Sequence, residues 1–411
     1  MIRVPVCARV SCVSRVCPGL PAPPVSFYRY RYSTGVLRFV CAAEALRFAL
    51  ALPTMLSLPP SSGHWVYDPS NFRGGNWLEH YSSNILEVYS KISDASLTHT
   101  HSLSLTKNLA TNISHPKNSW GPYRYLCSAR LGGTDLPRAT EGAKWRWAQG
   151  DTLMQVLDRE KMATIIRDTP IRFVGDSLIQ EMFSSMVGLL GQDIMVEGTW
   201  AANGTIVVPL RRGGRIRYER IKQVVKNMVT HTDIPDAPDY PVLVLDSTMP
   251  RGETGCNATS DLGRAVSKLS RGVLVVYVAF DPTHPACSHG SMQSAYSQPT
   301  RTKPAIATFS ITQLYDYNRW CWGKIPEHTY NDIQTMRPSL GNRLVVLNLT
   351  DATGQRPDSH SVKIPTSPQK SRCCDCMHHC LPGGPIETWN DALFAALTQR
   401  AAGKKITSAV V

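Results

Sequence analysis

Three side chains far apart in the chain have the types that acyl transfer needs: the hydroxyl of Ser177, the carboxylate of Asp375 and the imidazole of His378. A serine becomes a nucleophile when an imidazole takes its proton, and the imidazole does so when a carboxylate holds it in the right tautomer. Asp375 and His378 stand three positions apart, a spacing that lets both face the same way across one turn. Asp375 follows Ser177 by 198 residues (375 minus 177), so the order is Ser, Asp, His. Such a mechanism calls for no metal and no organic cofactor, only an acyl donor as co-substrate.

The element that must present Ser177 is short. Ile171, Phe173 and Val174 make a short, mostly apolar run, Gly175 and Asp176 make a turn, and Ser177 opens a segment that continues to Leu190. Leu178, Met182, Met186, Leu189 and Leu190 recur at helical spacing, with Gln180, Glu181 and Ser184 opposite, which predicts an amphipathic helix. A nucleophile at a helix start sits beside free backbone N–H groups and the positive end of the helix dipole, where an oxyanion is stabilised. The alternative reading is structural, with Asp176 and Ser177 serving only as helix caps.

Beyond that helix, Ile206–Leu210, Val242–Leu245, Val273–Phe280 and Leu344–Leu349 are short apolar runs bounded by Gly, Pro or Asn, and helical candidates lie near Ile221–Met228 and Ser260–Leu269. Fully apolar strands alternating with helices predict a three-layer α/β/α sandwich around a mostly parallel sheet. In such sheets a site forms at the carboxyl ends of the strands, where Ser177 lies.

Gly-Asp-Ser early, Asp-x-x-His late and the run Asp375–Asn390 (DCMHHCLPGGPIETWN) resemble the PC-esterase family. These SGNH-type proteins include the trichome birefringence-like polysaccharide O-acetyltransferases of plants and similar fungal and algal proteins. The resemblance implies an SGNH-hydrolase-like fold with Ser177, Asp375 and His378 as the triad, acting on a polysaccharide or oligosaccharide acceptor with an acetyl donor. It further implies that Gly63–Asp68 (GHWVYD) opens the domain, and that Trp145, Arg146 and Trp147 lie on the sugar-facing side. There the two rings can stack on pyranoses; core packing is the alternative. The family's Pro-x-x-Cys after Trp-Arg-Trp is replaced by Ala148-Gln149-Gly150-Asp151. His284, Asp358 and His360 fall in runs similar to family motifs and are candidate substrate-binding residues, with a structural hydrogen-bonding role as the alternative. Around the oxyanion the candidates are Gly175, Asp176, Gly198, Asp246 and Ser247. Asp246 stands where the family has an Asn, and an ionised carboxylate can only accept hydrogen bonds. Three functions remain open: acetyl transfer to a glycan, glycan deacetylation by the same triad, and glycan binding by a degraded site.

Composition narrows the setting. The 411 residues carry a formal charge of +13, of which seven Arg and one Glu in residues 1–60 supply +6, leaving +7 for the rest. That remainder is an ordinary surface apart from one cluster, Arg211, Arg212, Arg215, Arg217, Arg220, Lys222 and Lys226, which is either a polyanion or phosphate site or a solvated face. No Walker loop, dinucleotide fingerprint or nucleic-acid signature is present. Residues 1–60 are Arg-rich and nearly acid-free, as targeting or disordered segments are. Their apolar stretch Val36–Leu52 is interrupted by Arg38, Glu44 and Arg47, so the segment reads as an atypical membrane anchor, an organellar transit peptide or an untranslated region taken for coding sequence. Residues 61–400 form the expected PC-esterase-like domain, with a polar insertion at about 69–119 and a tail at 401–411. Twelve cysteines, four of them in Cys373–Cys380, read as disulfides in preference to a zinc site, and sequons at Asn112, Asn203, Asn257 and Asn348 also suit a secretory, Golgi-type lumen.

Overall fold

The computed structural model describes residues 63–68, 77–97, 142–202, 204–221, 223–226, 229–246, 259–279, 325–356, 359 and 378–403. In chain order its elements begin with β1 (Gly63–Tyr67), α1 (Trp77–Leu97), β2 (Trp145–Gln149), β3 (Thr152–Leu153) and α2 (Arg159–Asp168). The centre follows with β4 (Ile171–Gly175), α3 (Ser177–Leu190), β5 (Trp200–Ala202), β6 (Thr205–Pro209), β7 (Arg215–Arg220), β8 (Gln223–Lys226) and β9 (Val229–Thr232). The last elements are β10 (Val242–Asp246), β11 (Thr259–Ser260), α4 (Leu262–Ser267), β12 (Leu274–Ala279), α5 (Ile325–Leu340), β13 (Leu344–Asn348), α6 (Thr350–Gly354) and α7 (Pro385–Ala401).

Seven strands form one sheet in the order β13-β12-β10-β4-β7-β6-β5. The five from β13 to β7 run parallel, while β6 is antiparallel to both β7 and β5. Alternate residues of the parallel strands feed two cores. Ile171, Phe173, Val242, Val244, Leu274, Val276, Val345 and Leu347 pack with residues of α1, α2, α3 and α7. Val174, Leu243, Leu245, Val275, Tyr277 and Val346 pack with Leu262 and Val266 of α4 and Ile333, Met336 and Leu340 of α5. β7 gives only Ile216 and Tyr218 to one core, whereas both faces of β10, β12 and β13 are covered. That is why these strands are continuously apolar, each large side chain contributing about 1.5–3 kcal/mol on burial. The α/β sandwich read from the sequence is the observed architecture.

Three local expectations change. The polar segment after Asp68 contains the 21-residue α1, because Tyr81, Ile85, Val88 and Tyr89 recur at helical spacing and are buried in the core. The helix expected near Ile221–Met228 is instead β8, hairpinned to β9 with Val224 opposite His231. In α3 the expected polar face is largely not solvated: Glu181 and Ser184 are buried, as is Ser185, while Gln180 keeps partial exposure. Ser184 meets the Tyr89 hydroxyl at 3.0 Å, and Ser185 donates to Glu387 at 3.2 Å. Packing by α1 and α7 supplies internal partners where water was expected.

A second, three-stranded sheet joins β1, β2 and β3, with Trp65 opposite Trp147 and Tyr67 opposite Trp145. The Trp65 and Trp147 rings meet edge to face at 5.7 Å, and Trp65 Nε1 donates to the Ala352 carbonyl at 2.9 Å. The buried Arg356 guanidinium lies 4.9 Å from the centre of the Trp65 ring and donates to the carbonyls of Gly142 and Gly383. Among the described residues no helix is long and apolar enough to cross a membrane.

Candidate active site

The strand order reverses at β4. The chain leaves β4 through α3, adds β7 on one side, and later returns to place β10 on the other. A crevice opens at the carboxyl ends of strands at such a reversal. Ser177 is the first residue of α3 and half-buried, so its hydroxyl stands at the crevice beside the first-turn amides.

The turn that holds it is tightly made. The Tyr218 hydroxyl reaches the carbonyls of Gly175 and Asp176 at 3.3 and 3.4 Å, and Ile221 N–H donates to the Gly175 carbonyl at 3.0 Å. Asp176 makes no side-chain cap hydrogen bond; its carboxylate pairs with Arg220 at 3.4 Å. Side-chain capping therefore does not account for Asp176. Gly175 is required by space, since a Cβ there would lie 2.5 Å from Ile179 Cγ1 and 2.8 Å from Asp246 Oδ1.

That contact also places Asp246 on the wall of the crevice, at the end of β10 beside β4. Burial pushes its carboxyl up to about 7, and the charge of Asp332 on α5 adds to the rise. Near neutrality this acid is therefore present in both charged and neutral forms, and the neutral form can donate a hydrogen bond.

His378 is buried, and its neighbour His379 fully so. The segment His378–Cys380 is tied to the serine helix: His379 N–H donates to Glu181 Oε2 at 3.2 Å, and Asn390 Nδ2 of α7 donates to the Met182 carbonyl at 3.0 Å. On its other side, His379 Nδ1 meets Ser359 Oγ at 2.7 Å, and Cys380 N–H donates to the Ser359 carbonyl at 2.6 Å. Below this segment Glu387 accepts from the backbone N–H groups of Gly383 and Gly384 at 3.1 and 2.7 Å, and from the Tyr81 hydroxyl. The structure thus brings the segments of Ser177 and His378 together across 201 residues (378 minus 177) of chain.

The remaining sequence candidates divide into three groups. Gly198 does not belong to the crevice: it sits against Pro209, which pairs with Arg215 at the start of β7, whereas Gly175 pairs with Arg220 at its end. The length of β7, roughly 16 Å, separates it from the serine end of the sheet. Trp145, Arg146 and Trp147 lie in the small sheet. Trp147 is 1% exposed and packs with Trp65, Trp145 and Ala352, while Arg146 pairs with Asp68 at 3.0 Å and donates to the Met154 carbonyl at 2.8 Å. Asp375, Ser247, His284, Asp358 and His360 lie outside the described residues, as does Cys376.

The basic cluster is largely paired. Arg212 meets Asp193 at 2.9 Å, Arg215 meets Asp239 at 3.3 Å, and Arg217 shares Glu219 with the buried Arg172, whose two bonds to that carboxylate are both 2.7 Å. Among the described residues no group of three or more His, Cys, Asp or Glu side chains is arranged to hold a metal ion. Sequence reasoning missed Glu181, Ser359, Arg356 and Glu387. For Glu181 a signal existed, a lone carboxylate amid Met182, Phe183, Ser184, Ser185 and Met186, none of which is charged.

With this geometry in view, similarity to known proteins becomes informative. Residues 261–396 match the model of PC-Esterase, a GDSL/SGNH-like acyl-esterase family found in Pmr5 and Cas1p. Over that span the chain is similar to the PC-esterase family. The matched PC-esterase segment contains Asp375 and His378, while Ser177 lies before it. The chain is also 26% identical over 317 residues to xyloglucan O-acetyltransferase 3 of Populus trichocarpa, covering 63% of this chain and 76% of that protein. It is 37% identical over 65 residues to xyloglucan O-acetyltransferase 2 of Arabidopsis thaliana, 16% of each chain. Together these similarities support polysaccharide O-acetylation as the family-level activity.

Proposed function

We propose that this protein transfers acetyl groups to hydroxyls of a cell-wall or extracellular polysaccharide through an acetyl-serine intermediate on Ser177. The observation that carries the reading is the meeting of two chain segments: the helix that begins at Ser177 receives the backbone beside His378 through Glu181. In the first half-reaction Ser177 Oγ attacks the carbonyl carbon of an acetyl ester or thioester while His378 takes its proton. The tetrahedral oxyanion lies against the first-turn amides, and the donor's leaving group departs with the proton returned by His378. In the second, a sugar hydroxyl gives its proton to His378 and attacks the acetyl-serine, and Ser177 Oγ leaves with that proton. Asp375 orients His378 throughout. Water in place of the sugar turns the same cycle into deacetylation.

The transferase reading is favoured over an esterase by the names of the two xyloglucan O-acetyltransferases. A secretory, Golgi-type compartment accords with those relatives and with the disulfide at Cys380. The test is incubation of purified protein with a labelled acetyl donor and xyloglucan oligosaccharides, read as acetylated sugar against free acetate. Wild type is expected to form acetylated sugar, and Ser177→Ala to lose on the order of 10⁶ in rate, as nucleophile removal does in subtilisin. Free acetate as the sole labelled product would establish the esterase instead, and undiminished turnover by Ser177→Ala would remove the acetyl-serine.

A further inference from the structure

We infer that Glu181 and Ser359 are positioning residues that hold the peptide of His378 in register with the serine helix, an inference that rests on the Ser177–His378 reading above. Glu181 is one turn into α3, four residues beyond Ser177, and fully buried. Residues four apart on a helix lie on the same face, so Glu181 marks the face above which Ser177 begins. Its Oε2 accepts the N–H of His379 at 3.2 Å, across 198 residues of chain. His379 is pinned from the other side through Nδ1 and Ser359 Oγ at 2.7 Å, and the next N–H, of Cys380, ends on the Ser359 carbonyl at 2.6 Å. Two consecutive peptides after His378 are thus fixed by partners from two separate stretches of chain.

The arrangement does more than satisfy buried polar atoms. A buried carboxylate in a helix core is costly, and an apolar residue of equal size would serve packing better. What the carboxylate supplies is an acceptor that moves rigidly with the nucleophile. A shift of about 1 Å between reacting groups costs about 10²-fold in rate, so a clamp of this kind acts on turnover and leaves acceptor binding alone.

The test compares Glu181→Gln, which keeps an acceptor oxygen at the same reach, with Glu181→Met, which keeps the volume and loses the acceptor. Ser359→Ala removes the second anchor at little cost in packing. All are assayed for acetyl transfer and for covalent labelling of Ser177 by a fluorophosphonate, beside Ser177→Ala as control. Expected are kcat and labelling rate about 10²-fold lower in Glu181→Met with KM within about twofold of wild type, recovery to within about fivefold in Glu181→Gln, and about a tenfold loss of kcat in Ser359→Ala. If Glu181→Met fails to fold, the Gln variant and Ser359→Ala decide, since wild-type kcat in Ser359→Ala or a collapse of Glu181→Gln to the Ser177→Ala level overturns the clamp. A loss confined to KM overturns it too. An inactive Ser177→Ala beside an unaffected Glu181→Met defeats the clamp alone, whereas an active Ser177→Ala defeats the serine mechanism and the clamp with it.

Discussion

Asp246→Asn should make the protein more stable at pH 8 and leave it unchanged near pH 4. The carboxyl is pushed up to about 7 from an ordinary 3.8, chiefly by burial and further by Asp332. A raised carboxyl pKa means that the folded state holds its proton while the unfolded chain has released it, so stability falls as pH rises from about 4 to about 7 and is flat above. About three pKa units at 1.36 kcal/mol each set a ceiling of about 4 kcal/mol on that loss. Asparagine, which cannot ionise, escapes it. Urea unfolding of both proteins at half-unit steps from pH 4 to 8.5 measures the difference, which should grow between pH 4 and 7 and then level. A difference that is constant across the range, or one that favours wild type at pH 8, would refute the placement of this carboxyl in a buried, like-charged setting. Turnover offers a second check, because a neutral acid on the crevice wall can donate to an oxyanion and an ionised one cannot. Wild-type kcat should accordingly decline above pH 7 in a way that Asp246→Asn does not.

Gly175→Ala should abolish turnover and lower stability by about 1–3 kcal/mol, since the new methyl group is forced against Ile179 and the Asp246 carboxyl; kinetics and urea unfolding of the variant read both. Trp147→Ala should cost about 3–5 kcal/mol in urea unfolding through the cavity it leaves beside Trp65. A variant that stays fully stable and loses only oligosaccharide affinity would return Trp147 to a sugar-stacking role. Cys376 and Cys380 should both resist thiol labelling in the unreduced, denatured protein, and full labelling at both would contradict a secretory lumen.

The parallel sheet was legible because β10, β12 and β13 are buried on both faces, and a run such as Val242–Leu245 can hardly be read otherwise. The turn at Ser177 was legible for a similar reason: small residues between an apolar strand and a helix mark the reversal point. Glu181 was not. Helical periodicity assigns a carboxylate to the wet side, and here α1 and α7 cover that side with a tyrosine, an asparagine and a second carboxylate. The same cause hid α1, whose Tyr81 and Ile85 have no visible purpose until the core is there to receive them, Tyr81 against Gly188 of α3. Arg215, Arg217 and Arg220 read as a patch because their counter-charges, Asp239, Glu219 and Asp176, come from both neighbouring and distant segments. Gly198, expected near the oxyanion, lies against Pro209 at the other end of β7, because the sequence does not say which end of a sheet a loop reaches.

The bond between Glu181 and His379 has a consequence for biosynthesis. A ribosome adding about 5–20 residues per second needs about 10–40 s to pass from Ser177 to His378. Throughout that interval the carboxylate of Glu181 waits without the amide it will finally accept. The contact that joins α3 to the segment His378–Cys380 therefore cannot form until 198 further residues have been added after Glu181.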